Sequence, residues 1–85
     1  MKLKDGFVLR TVAGETVVLP NSAEQNIMIS LNNTGTFLWK KLEQEQTVET
    51  LVEELLQTYD VSKETALASV NAFVAKLQEN SFLEN

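Results

Sequence analysis

The sequence contains no cysteine and no histidine among its 85 residues. A structural zinc site, a thiol nucleophile, a serine–histidine pair and the usual haem ligands each need one of these residue types. Only three glycines are present, and they form no glycine-rich phosphate loop. Serine or threonine without a neighbouring base is not an activated nucleophile. We therefore expect no catalytic residue, no metal site and no cofactor, and a protein that is not an enzyme.

Positive charge is also scarce. Seven lysine and arginine residues stand against twelve aspartate and glutamate residues, and Arg10 is the only arginine. The net charge of -5 argues against a nucleic-acid partner, because such affinity rests largely on neutralised phosphates. The apolar runs are far shorter than the roughly 20 residues needed to cross a bilayer, so we expect no membrane partner. The N-terminus lacks the apolar region of a signal peptide, which predicts a cytoplasmic protein.

Three runs rich in β-branched and apolar residues lie in the first 31 positions. Phe7–Val12 and Glu15–Leu19 flank Ala13-Gly14, where glycine supplies the positive φ of a tight hairpin. The polar residues 20–26 lead to a third run, Ile27–Leu31. We expect a three-stranded antiparallel sheet with Ile27, Ile29 and Leu31 facing the core, and with Met28 and Ser30 on the opposite face.

The rest of the chain has helical periodicity. Asn32 or Asn33, Thr47 and Ser62 are the candidate N-caps of three successive helices. Thr47 is followed by Thr50 rather than by an acid, which predicts an ordinary cap instead of a capping box. The predicted buried positions of the second and third helices are Leu51, Val52, Leu55, Leu56 and Tyr59, and Ala66, Leu67, Val70, Phe73, Val74 and Leu77. The terminal pair Phe82-Leu83 is expected to fold back onto the core.

These elements predict an α+β fold of the winged helix-turn-helix type, with a three-stranded sheet followed by three helices. No linker or repeat divides the chain, so residues 1–85 are expected to form a single domain. A sheet that ends in a strand followed only by helices has an unpaired edge, whose N–H and C=O groups can receive a peptide. The third strand is therefore the expected binding surface.

The order and spacing of several motifs resemble those of the PqqD family, named for pyrroloquinoline quinone synthesis protein D. The matching segments are Leu31–Leu42, Thr47–Leu51, Leu55-Leu56 with Tyr59–Val61, and Val70–Leu77. The resemblance implies a peptide chaperone, or recognition element, of a pathway that modifies ribosomally made peptides. Such a domain captures the leader of a precursor peptide and presents it to a modifying enzyme, often a radical S-adenosylmethionine (radical SAM) protein. The leader is added as a strand beside the third strand, in a groove bordered by the third helix.

The expected peptide-binding residues combine this strand with one side of the third helix. They are Ile27, Met28, Ile29, Ser30, Leu31, Ser69, Phe73, Val74, Lys76 and Leu77. The alternative for Phe73, Val74 and Leu77 is ordinary core packing.

Two alternative functions stay open at this point. The helix-turn-helix over residues 47–77 also fits a small winged-helix transcription regulator that binds DNA through the third helix. A homodimer or structural subunit, in which exposed strand edges pair with each other, is the other alternative.

Overall fold

The structure is a computed structural model that describes residues 1–20 and 28–84. Two small sheets and three helices make up this part of the chain. In chain order the elements are β1 (Lys2–Leu3), β2 (Phe7–Val12), β3 (Glu15–Pro20), β4 (Ile29–Leu31), α1 (Asn33–Lys41), α2 (Val48–Thr58), α3 (Lys63–Glu79) and β5 (Leu83–Glu84). The predicted meander followed by three helices is confirmed, with one short strand added at each end.

The main sheet has the strand order β2-β3-β4, and both of its pairings are antiparallel. The hairpin turn is at Ala13 and Gly14, whose φ angles of 52° and 83° both lie in the left-handed region. Leu9, Val18 and Ile29 are register partners across the three strands, so their side chains share one face. That face packs against the helices, since Val18 belongs to the core and Leu9 and Ile29 contact it.

Each helix begins at one of the predicted caps. The side chains of Asn32, Thr47 and Ser62 accept hydrogen bonds from backbone N–H groups three residues later. The prediction of an ordinary cap at Thr47 was wrong. The Thr50 hydroxyl accepts from the Thr47 N–H at 2.9 Å, while the Thr47 hydroxyl accepts from the Thr50 N–H at 3.1 Å. A threonine hydroxyl thus takes the place that glutamate or glutamine has in the usual capping box.

The smaller sheet joins the two ends of the described chain. Lys2 pairs with Glu84 and Leu3 with Leu83, and the Lys4 N–H donates to the Phe82 carbonyl at 2.8 Å. Phe82 is fully buried and meets the rings of Phe7 and Trp39 edge to face, with centroids 4.6 and 5.5 Å away. The prediction that Phe82-Leu83 folds onto the core is confirmed, whereas its pairing with an N-terminal strand was not predicted.

The helical core is narrower than the periodicity indicated. Leu51, Val52 and Leu55 of α2 are buried, as are Ala66, Val70 and Phe73 of α3. Leu56 and Leu67, which were predicted to be buried, are 37% and 41% exposed. Each lies one residue beyond the row of side chains that contacts the neighbouring elements, and a helix can bury only the stripe that faces them. None of the described helices has the length and apolar character that a membrane span needs.

Candidate peptide-binding groove

Strand β4 is hydrogen-bonded to β3 along one of its edges. It pairs with β3 through the partners Val18–Ile29, Val17–Ser30 and Thr16–Leu31. Within residues 1–20 and 28–84, no strand pairs with its other edge or with the outer edge of β2. The chain's own C-terminal strand lies elsewhere, because β5 pairs with β1. The outer edge of β4 therefore presents backbone N–H and C=O groups to a partner.

The side chains of β4 alternate as predicted. Ile29 and Leu31 are half-buried and pack against the core, while Ser30 is exposed. Met28, just before the strand, is 67% exposed, which is the highest exposure of any large apolar residue among the described positions. An exposed, flexible thioether beside an unpaired edge suits contact with varied apolar side chains.

A groove of about 320 Å³ opens where β4 ends, between the first part of α1 and the second half of α3. Asn32, which directly follows the last residue of β4, forms one end of its lining. The complete lining consists of Asn32, Thr34, Gly35, Leu38, Ser69, Ala72, Phe73 and Lys76. The groove lining thus adjoins the end of β4 through Asn32, while no residue of β4 itself belongs to the lining.

Gly35 allows the two helices that form the groove to approach each other. A methyl group on Gly35 would lie 3.1 Å from Asn32 Oδ1, 3.4 Å from Phe73 Cε1 and 3.6 Å from Leu31 Cβ. The absence of that methyl lets the Phe73 ring reach the N-terminal turn of α1. Asn32 is held in turn by the Gly35 N–H, which donates to its side-chain oxygen at 2.7 Å, and by the Thr36 hydroxyl, which donates to its carbonyl at 2.9 Å.

The structure brings most of the predicted site residues together. Met28, Ile29, Ser30 and Leu31 lie on or beside the open edge, and Ser69, Phe73 and Lys76 line the groove. Phe73, Val74 and Leu77 are all buried core residues, and of these only Phe73, 8% exposed, also lines the groove; the contact of Val74 and Leu77 with a peptide stays a prediction. Ile27 lies outside the described residues.

Five groove residues were not predicted: Asn32, Thr34, Gly35, Leu38 and Ala72. Ala72 could have been found from the sequence, because Ser69, Ala72, Phe73 and Lys76 follow the i, i+3, i+4, i+7 spacing of one helical stripe. The α1 residues carried no such signal. Their role depends on the crossing of α1 and α3, which helical periodicity does not specify.

Lys76 is the only charged residue that the described part of the chain contributes to the groove lining. Within the described part of the chain, ion pairs join the Met1 ammonium to Glu45, and Lys41 Nζ to Glu54 at 3.0 Å. Neither pair involves Lys76. Among the described residues, the groove thus carries one positive charge without an ion-pair partner, in a protein whose net charge is -5.

Comparison with known proteins relates this arrangement to leader-peptide complexes. A search of curated protein sequences finds no significant match. The solved structure "TbiB1 in Complex with the TbiA(beta) Leader Peptide" is similar with a TM-score of 0.78 and 25% identity, covering 100% of this chain and 96% of that one. "Lasso peptide synthetase B1 complexed with the leader peptide" has a TM-score of 0.75 and 19% identity, with coverages of 99% and 96%. The family model "Coenzyme PQQ synthesis protein D (PqqD)" matches residues 10–83, and the chain therefore belongs to the PqqD family.

Proposed function

We propose that this protein is a non-catalytic adaptor that captures the leader segment of a ribosomally made precursor peptide. The leader adds as a strand to the open edge of β4 and continues into the groove between α1 and α3. The adaptor then presents the peptide to a modifying enzyme, such as a radical SAM protein. The observation that carries this proposal is that β4 has an edge left unpaired by the described residues, and that a groove begins at the residue after it, in a member of the PqqD family.

The edge and the groove have different roles in binding. Backbone hydrogen bonds hold any extended peptide, but each contributes only about 0.5–1.5 kcal/mol net. β4 is three residues long, so it offers few of them. The groove must supply the remaining affinity and the sequence preference, because side-chain pockets distinguish one strand from another.

The matched complexes support peptide binding rather than DNA binding. Both similar structures are complexes with leader peptides, and their sequence identities to this chain, 25% and 19%, extend over nearly its whole length. The alternative of a DNA-binding regulator gains no support from them. The negative net charge is a second argument against it.

A titration followed by NMR tests the proposal. Isotope-labelled protein is mixed with the precursor peptide encoded beside its gene, and with a scrambled version as the control. We expect amide shifts in residues 29–31 and 69–76, caused by the native leader only. Since β2 also has an open edge, shifts confined to residues 7–12 would contradict this mode of binding, and the absence of binding by any neighbouring leader would contradict the function.

A further inference from the structure

The groove combines an apolar surface with one cation. Leu38, Ala72 and Phe73 supply apolar contacts, while Asn32, Thr34 and Ser69 supply neutral polar groups. The lining contains no acidic residue from the described segments 1–20 and 28–84, and Lys76 is an exposed residue. A peptide side chain that enters this groove meets an aromatic ring and, one helical turn further along α3, an ammonium group.

The size of the groove limits what it can recognise. Its volume of about 320 Å³ is at the lower end of the range for ligand pockets, roughly 300–1,000 Å³. Such a space accommodates one or two side chains rather than a long segment. Selectivity must therefore come from a short motif within the leader.

The spacing of Phe73 and Lys76 indicates the spacing of that motif. Three residues along a helix correspond to a rise of about 4.5 Å, and the long lysine stem extends further. In an extended peptide, side chains two residues apart lie on the same face, separated by about 6.6 Å. One such pair can place an apolar side chain against Phe73 and a second side chain beside the ammonium of Lys76.

We propose that the groove selects leader peptides carrying an apolar residue and an aspartate or glutamate two positions apart. The apolar side chain packs against Leu38, Ala72 and Phe73, and the carboxylate pairs with Lys76. This inference rests on the proposed function, since it specifies the class of peptide that the same site accepts. Charge complementarity supports it: the described residues of the lining offer a cation and no anion, so an acidic side chain gains an ion pair where a basic one is repelled.

Selection from a displayed library of random twelve-residue peptides tests this motif without knowledge of the natural leader. The library is selected in parallel on the wild-type protein, on Lys76→Glu and on Lys63→Glu. Lys63 is an exposed lysine on the same helix that does not line the groove, so it is the matched control. We expect apolar and acidic residues two positions apart among peptides selected by the wild type and by Lys63→Glu, and a basic residue in the acidic position for Lys76→Glu.

Binding measurements on one selected peptide give the magnitude. Lys76→Met keeps the length of the side chain and removes its charge, and circular dichroism verifies the fold of each variant. An exposed ion pair predicts a two- to fivefold loss of affinity, to be abolished by about 1 M salt. Replacing the peptide's acid with its amide should cause the same loss, and the two changes together should cost little more than either alone.

The possible failures are distinguishable. The motif is wrong, and the adaptor function survives, if the wild type selects peptides without a preference for acidic residues. The same conclusion follows if Lys76→Glu selects the same acidic residues as the wild type. If no variant selects any peptide, both the motif and the proposed function are wrong.

Discussion

The Phe73 ring lies 3.4 Å from the position that a methyl group on Gly35 would occupy, so such a methyl would contact the ring and fill part of the groove between α1 and α3. Asn32 Oδ1 lies 3.1 Å from the same position on the other side. Gly35 is therefore confined between the helix cap and the aromatic residue of the groove. A substitution there tests the shape of the groove directly.

We expect Gly35→Ala to weaken peptide binding and to leave the protein less stable or unchanged. Alanine gains about 1 kcal/mol in helix propensity, but overpacking of a tight contact costs about 1–3 kcal/mol. Urea unfolding measures the stability and peptide titration measures the binding. Asn71→Ala is the control, because it raises helix propensity at an exposed position of α3 outside the groove. Full binding by Gly35→Ala would contradict the inferred role of this contact.

Proline substitutions at Ile29 and Ser30 test the strand edge. In an antiparallel pair, successive residues direct their backbone groups to opposite edges, so one of these two N–H groups faces β3 and the other faces outward. Removal of the inward donor should lower stability, whereas removal of the outward donor should mainly reduce peptide affinity. Thermal unfolding and peptide titration of both variants separate the effects. Equal affinity of the outward variant and the wild type would exclude strand addition at β4.

Phe82→Ala should be severely destabilising. The ring is fully buried between Phe7 and Trp39, and deletion of a buried phenylalanine costs about 3–5 kcal/mol. This is a large part of the roughly 5–15 kcal/mol that stabilises a typical domain. Leu67→Ala, at a 41% exposed position, is the control and should change the unfolding free energy by less than about 1 kcal/mol. Similar urea midpoints for the two variants would contradict the burial of Phe82.

Thr50→Ala should destabilise the start of α2 without affecting peptide binding. The substitution removes the acceptor for the Thr47 N–H, and loss of a cap interaction typically costs about 1 kcal/mol. Thr58→Ala is a suitable control, because this exposed threonine on the same helix makes no side-chain hydrogen bond within the described residues. Urea unfolding should show a loss for Thr50→Ala only. A drop in peptide affinity would mean that α2 contributes to the site.

The parts of the fold that were predictable from sequence are those governed by local interactions. Gly14 indicated the hairpin because glycine adopts a positive φ without steric cost, whereas the positive φ of Ala13 could not be read from its residue type. Asn32 and Ser62 indicated helix starts because their side chains accept from nearby N–H groups. The strands β1 and β5 have two residues each, too few to show a period, and their pairing depends on contacts between distant parts of the chain.

The part of the candidate site that could be predicted from the sequence is the part that lies on one face of a single helix, α3. Ser69, Phe73 and Lys76 lie on a single stripe of α3, and their position in the groove agrees with the sequence prediction. Gly35 and Leu38 belong to the site because α1 crosses that stripe, and no spacing in the sequence shows the crossing. The burial of Leu56 and Leu67 was overestimated for a related reason, since periodicity gives the direction of a helical face but not the width that neighbours cover.

The pairing of β1 with β5 has a consequence for protein engineering. Cα atoms of opposed residues in an antiparallel pair are about 5 Å apart, so Lys2 and Glu84 bring the two ends of the described chain close together. A short linker can join them, and new termini can be opened at the Ala13-Gly14 turn, which lies on the surface. The same proximity allows insertion of the whole domain into a loop of another protein as a peptide-recruiting module.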